Sequence, residues 1–416
     1  MTLDQVLAEL RLDVDPEIFA PHWEEDEASL PQTPELLRPA VFLALREYLR
    51  LDAEVEPYLL DVAQRIMASP ALKQLWWHCL RLLFHHVDYP GPNMRQWPSL
   101  EHLLGEQHGV FYLLAVMEVV SLTQAQHRKR GIPESVAAEG LAGNLHECVG
   151  NYRTLNPGRF GVDLRVVYWL RHDTEGELYR LGRIEYMNRP FHGPIQAFRN
   201  CRTGETVALA EDGVSYTSEG YVFGHGTETA PGVWTSTLTF TDKSVRGYRI
   251  SPLGHATQEL VELPLDEWPC VLRKGDHVLE MHIPGGGGFT PEKCRESMEQ
   301  AVAFFRQYFP EQPFVGLGCM SWILNPQIGQ IYRPDSNMVL WQQEMYLYPI
   351  ASSGRDGLHF LFTRDDIDPA TAPRDTSMRR AFLDWLASGK RLMSGGAFIL
   401  TEDLQYYGTQ HYRTRQ

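Results

Sequence analysis

In HIPGGGGFTPEK (282–293), four consecutive glycines join an alternating run, VLEMHIP (278–284), to a segment with helical spacing. Apolar–polar alternation over so short a run reads as a strand. Thr290 is a side-chain N-cap, and Pro291 fills the first helical position, where its missing N–H costs nothing. The helix continues through PEKCRESMEQAVAFFRQYFP (291–310), and FVGLGCMSWIL (314–324) reads as the next strand. A helix start carries unsatisfied N–H groups and a partial positive charge. Glycines let that backbone approach a bulky anion with no side chain in the way, so a diphosphate or a carboxylate suits the place. An ordinary capped strand-to-helix connection is the competing reading. No Gly-Lys-Ser/Thr follows, which excludes a P-loop, and the first helical turn lacks the small-residue packing of a dinucleotide fingerprint.

Glu280 and His282 lie two apart on the strand before the loop, so their side chains share a face. Such a pair fits a general base and its orienting group; a face that simply meets water or a neighbouring strand is the alternative. On the following strand Cys319 and Ser321 share a face beside Trp322, and Cys319 next to His282 would resemble a thiolate–imidazole pair. Most isolated cysteines on apolar strands are instead buried and inert. Asn325, Ser336 and Asn337 lie in polar turns, where local backbone capping is the usual role.

Away from this stretch the chain changes character twice. Residues 1–155 read as a helical domain: PELLRPAVFLALREYL (34–49), AEVEPYLLDVAQRIMA (53–68), PALKQLWWHCLRLLFHHV (70–87), a long helix around 106–129 and another from Pro133. The third has apolar residues at 72, 75, 76, 79, 80, 83, 84 and 87, a 3.6-residue stripe wide enough for a core face. Residues 156–275 show short strand-like runs, 164–173, 178–187, 206–211 and 234–242, with turn chemistry such as Glu211-Asp212-Gly213 between them. Residues 276–416 mix strands and helices, with further strands expected at 338–350 and 358–364, a helix at 376–388 and a last strand in AFILTED. The fold class is therefore α+β, an all-helical domain followed by a mixed α/β region with two β-rich halves.

Composition removes several function classes. Lys and Arg number 38 against 53 Asp and Glu, a formal charge of −15, which opposes binding to a nucleic-acid backbone. No run of about 18 apolar residues exists for a membrane span, and the N-terminus has no secretory pattern. The six scattered cysteines form no CxxC pair and read as free thiols of a cytoplasmic protein. No HExxH or His-x-Cys-x-x-Cys spacing supports a metal site; His78, His85 and His86 on the Trp-rich helix read as core-edge polar groups. No GxSxG elbow supports a serine hydrolase.

GRFGVDLRVVYWLRHDTEGELYRLGRIEY (158–186), HIPGGGGFTPEKC (282–294), CMSWILNP (319–326), PDSNMVLWQ (334–342) and RLMSGGAFIL (391–400) together resemble a bacterial family of acyltransferase-domain proteins. Its members combine a helical N-acyltransferase-type N-terminal domain with a GNAT-like C-terminal domain, and the resemblance runs nearly end to end. It implies a site where acyl-CoA or acetyl-CoA meets a splayed strand and a helix start. On this chain the cofactor-facing residues would be Ile283, Gly285, Gly286, Gly287, Gly288, Phe289 and Thr290, with Lys293 adding the nearby positive charge. Glu280 or His282 would take the proton of an acceptor amine. The usual signature, Arg/Gln-x-x-Gly-x-Gly/Ala, occurs nowhere. The resemblance thus implies an acyl-CoA-dependent N-acyltransferase acting on a small or peptide-like amine. A non-catalytic binding or sensor protein of the same fold, and a thiol-dependent transfer through Cys319, are the other readings. The helical domain is expected to serve as core, as a lid or as a homodimer contact.

Overall fold

Residues 1–224, 231–364 and 366–414 are described by the structure, a computed structural model. Contacts divide the chain into two units, Met1–Arg180 and Leu181–Gln416.

The first unit is helical. Ser69 caps the Pro70–Phe84 helix by accepting from the Leu72 N–H at 3.2 Å, and the expected stripe from Leu72 to Phe84, with Trp76 at its centre, is buried in one large core, whereas Val87 falls beyond the helix and is exposed. The long helix expected around 106–129 is two, Val110–Val116 and Val119–Arg130. Between them Glu118 N–H donates to Ala115 and Val120 N–H to Met117, three-residue spacings that tighten the turn where the two meet. The strand expected at 164–173 is also helical, as Val167–Leu170 and Arg171–Thr174. Arg171 explains the difference: its guanidinium donates to the carbonyls of Leu82, Leu83 and Tyr89, each at 2.7 Å. Those bonds satisfy the end of the Pro70–Phe84 helix and draw residues 156–180 into this unit rather than the next. Asp26 is a second internal anchor, a buried carboxylate accepting from Arg81, from His78 at 2.7 Å and from His86 at 2.8 Å.

Among the described residues the second unit holds two large sheets and a two-stranded ladder of Ser215–Tyr216 with Trp234–Thr235. In the first, the strands Ile184–Pro190, His277–His282, Gly316–Ser321, Gly395–Leu400 and Tyr346–Pro349 lie side by side in that order. The pairing between His277–His282 and Gly316–Ser321 is parallel, and the Pro291–Tyr308 helix makes the crossover. The second sheet runs Cys270–Leu272, Ile195–Arg199, Thr206–Ala210, Ser244–Ser251, Leu238–Phe240, with His255–Pro264 also paired to Ser244–Ser251. Tyr346 ties the two together: its hydroxyl donates to the Ile250 carbonyl at 2.5 Å and accepts from the Ala208 N–H at 3.1 Å.

Four expectations change here. Residues 178–187 are not one strand but Tyr179–Leu181 and Ile184–Pro190, hinged at Gly182 with φ 73°. The run 338–350 is a helix, Asn337–Gln343, before the strand Tyr346–Pro349, and 358–364 is the helix Leu358–Phe362, bounded by left-handed Gly357 and Thr363. A boundary at 275 separates no compact bodies, because His277–His282 pairs along its whole length with Ile184–Pro190.

Candidate active site

The parallel ladder pairs Val278 with Gly316, Leu279 with Leu317 and Glu280 with Gly318, and goes no further. Both strands continue, to His282 and to Ser321, held only by their outer neighbours. A gap therefore opens between them at the end where the glycine loop begins. Pairing partners point to one face. Glu280 and His282 thus share a face with Met187 and Glu185, their partners on Ile184–Pro190. The Nε2 of His282 lies 3.8 Å from the Glu280 carboxylate, so the two expected residues do meet. Glu185, directly across from His282 and only 2 % exposed, is a third member that the sequence did not single out.

Cys319 and Ser321 fall elsewhere. By the same register they share the face of Met281 and Tyr186, which the Pro291–Tyr308 helix covers: Tyr186 hydroxyl and Ser297 Oγ are 2.9 Å apart. Cys319 is therefore not beside His282. It is buried, and burial, with the Glu280 charge adding to it, pushes its thiol well above the ordinary range, the reverse of an activated nucleophile. Ser321 caps the short turn Trp322–Leu324, its Oγ accepting from the Ile323 N–H at 3.5 Å.

Gly285 to Gly288 are exposed, and Pro284 before them is buried. A Cβ built at Gly285, Gly286 or Gly287 meets nothing within 4 Å, so the loop offers bare backbone to open space. Gly286 and Gly288 have φ of 97° and 81°, where a side chain strains the backbone. Thr290 caps the helix as expected, accepting from the Lys293 N–H at 3.4 Å, and the Lys293 ammonium folds back over Gly288, 3.3 Å from where a Cβ would sit. These residues fit a phosphorylated co-substrate: open amides, a capped helix start and a cation. Glu292 in the same first turn is held below its usual range by its own N–H and the Thr290 hydroxyl.

Lys293 is not the sole cation. Arg183, on the turn before Ile184–Pro190, donates to the Gly286 carbonyl at 3.2 Å, and its guanidinium lies 5.3 Å from the Phe289 ring centroid. Phe289 in turn packs edge-on against the buried Trp341, centroids 5.1 Å apart. These contacts tie the loop to the turn at Arg183 and to Trp341. Ile283 is half-buried between strand and loop.

Among the described residues, His22, His86 and Asp88 bring ligand atoms within 4.8 Å of one another, as do Glu25, Asp26 and His86 and, elsewhere, His172, Glu175 and Glu177. His22 and His86 stack at 3.8 Å with planes 7° apart, and His86 is also bonded to Asp26.

Residues 178–399 match the GNAT-like C-terminal domain, and residues 43–176 match the N-acyltransferase N-terminal domain. The chain belongs to the GNAT-like C-terminal domain family. Its fold is an acyltransferase fold. A crystal structure of an acyltransferase in complex with CoA and 10C-teicoplanin superposes on it with a TM-score of 0.60 at 22 % identity, covering 96 % of this chain and 99 % of that one. Crystal structures of an acyltransferase in complex with decanoyl-CoA and teicoplanin, and with decanoyl-CoA, give TM-scores of 0.59 and 0.58 at 21 % and 20 % identity, with the same coverage. No curated protein sequence matches the chain. In GNAT-like terms the glycine loop, the capped helix and the strand gap of this protein occupy one end of one sheet.

Proposed function

We propose that this GNAT-like protein is an acyl-CoA-dependent N-acyltransferase whose acceptor is an amine on a peptide-like small molecule. The observation that carries the reading is the gap between two parallel strands past Glu280 and Gly318, opening onto a glycine loop and a capped helix start. The structural relatives, acyltransferases bound to decanoyl-CoA or to teicoplanin, support the same substrate classes at the level of fold.

Acyl-CoA, when bound, supplies an acyl group activated as a thioester. The loop amides of Gly285 and Gly287 and the N–H groups of the first helical turn hold its phosphates, with Lys293 and Arg183 offsetting their charge. The strand gap directs the thioester toward the face carrying Glu185, Glu280 and His282. His282 accepts the proton that the acceptor amine must lose, and the two carboxylates orient and stabilise its charged form. The proton then leaves on the departing thiol. An acidic chain surface favours approach of a cationic amine.

Calorimetric titration with CoA and decanoyl-CoA, followed by product detection with teicoplanin and simpler amines, tests the reading. Micromolar binding and an amide product are expected. A flat titration with folded protein removes the acyl-CoA reading, and binding without turnover on any amine leaves a sensor.

A further inference from the structure

We propose that a cleft in the helical unit is a second ligand site, built for a carboxylate attached to an apolar chain. The cleft measures about 470 Å³, a size suited to a small organic ligand. Its floor is Leu51, Val55, Leu113 and Phe160, all buried side chains, and its rim carries two cations, Arg50 and Arg153, with His146 and one carboxylate, Asp52, all exposed.

Arg50 is the telling residue. It follows the Pro39–Tyr48 helix with φ 54°, its N–H bonded to the Glu47 carbonyl and the Leu51 N–H to the Arg46 carbonyl. That left-handed position past a helix end normally takes glycine, because a Cβ there crowds the following carbonyl. Here an arginine occupies it, and the conformation aims the residue at the cleft mouth. His146 secures the turn by donating from Nε2 to the Arg50 carbonyl at 2.9 Å. Among the described residues no carboxylate pairs with the Arg50 guanidinium. Arg153, across the rim, is partly engaged: it lies 3.7 Å from Asp52 and 5.2 Å from the Phe160 ring centroid. The Asp52 carboxylate is itself occupied by the Glu54 N–H at 3.0 Å.

The rim is therefore net positive on a chain of formal charge −15, directly above an apolar floor. A wholly apolar ligand gives Arg50 nothing to bind, and a small inorganic anion leaves the floor wet. A fatty-acid-like carboxylate satisfies both, its chain on Leu51, Val55 and Leu113 and its head on the Arg50 fork.

Titration of the full chain with sodium decanoate, against decanol and acetate, tests this. Decanoate is expected to saturate one site, at least tenfold tighter than either control. Arg50→Gly is expected to weaken decanoate at least tenfold while leaving Tm unchanged or raised, since glycine suits that backbone. Arg153→Gln loses less, and neither CoA nor Gly287→Ala alters decanoate binding. The proposal is overturned if decanoate fails to saturate, if decanol or acetate binds as well, if Arg50→Gly binds decanoate like the parent chain, or if CoA displaces it, which would place the carboxylate in the strand gap.

Discussion

Glu280 and Gly318 are register partners in the parallel ladder, and this one pairing puts Cys319 on the opposite face of the sheet from His282. A two-residue period fixes faces within a strand, but only register relates one strand's faces to its neighbour's. The thiolate–imidazole pair is thus ruled out by a single hydrogen-bonding offset.

Cys319→Ala accordingly leaves turnover within about twofold of the parent enzyme, and the parent, like the variant, shows no covalent acyl-enzyme burst to lose. Stopped-flow measurement of thiol release checks this. A lost burst or a collapsed rate would restore the thiol to the chemistry.

His282→Gln lowers kcat by roughly 10²- to 10⁴-fold, the ordinary weight of a general base, with acyl-CoA affinity retained. Glu185→Gln and Glu280→Gln cost less each, because either carboxylate still faces the imidazole. Steady-state kinetics on the three variants, each with Tm measured, separates these roles. Equal rates in all three would remove this face from catalysis.

The glycines divide by backbone angle. Gly286→Ala strains a residue at φ 97° and lowers stability by about 1–2 kcal/mol. Gly287→Ala has no such strain and meets no atom within 4 Å, so it leaves Tm unchanged and weakens CoA binding about tenfold by filling the approach to the backbone. Thermal melts paired with calorimetry show whether the two effects separate.

Arg183→Gln removes the contacts on Gly286 and Phe289. KM for acyl-CoA rises several-fold, whereas acyl-pantetheine, which lacks the diphosphate, is used as before. Arg183→Lys recovers only part of the loss, since an ammonium does not reproduce the planar fork. An equal loss with both acyl donors would mean that the arginine supports the sheet and not the loop.

Asp173, fully buried and bonded to Asn144 at 3.0 and 3.2 Å, has its carboxyl pushed up to about 7 by burial. The folded state then binds more protons than the unfolded state between about pH 4 and pH 7, so this group's contribution to stability is complete at the acid end and lost as pH rises through that window. The shift corresponds to on the order of 4 kcal/mol. Urea unfolding at pH 5 and pH 8 is expected to show this dependence reduced in Asp173→Asn, which carries no proton to lose; an identical difference in both proteins would contradict it.

Local chemistry made the glycine loop, the Thr290 cap and the strands around them legible, because each follows from residues adjacent in sequence. What stayed hidden came from distance. Arg183 and Glu185 reach the site from a hairpin about a hundred residues earlier, and nothing in that hairpin's own pattern announces its partner. Residues 164–173 alternate like a strand, yet they coil because Arg171 gains three carbonyl partners by doing so, a tertiary gain that outweighs local propensity. The site's two cations were undercounted for the same reason.

The early end of the parallel ladder also lines the gap with main chain, whatever side chains the two strands bear. A ligand lying in that gap meets main-chain amides and carbonyls, whose positions depend on the course of the strands and not on which side chains they bear. Recognition of that kind leaves little trace in the letters of a sequence, and many different spellings can encode the same opening.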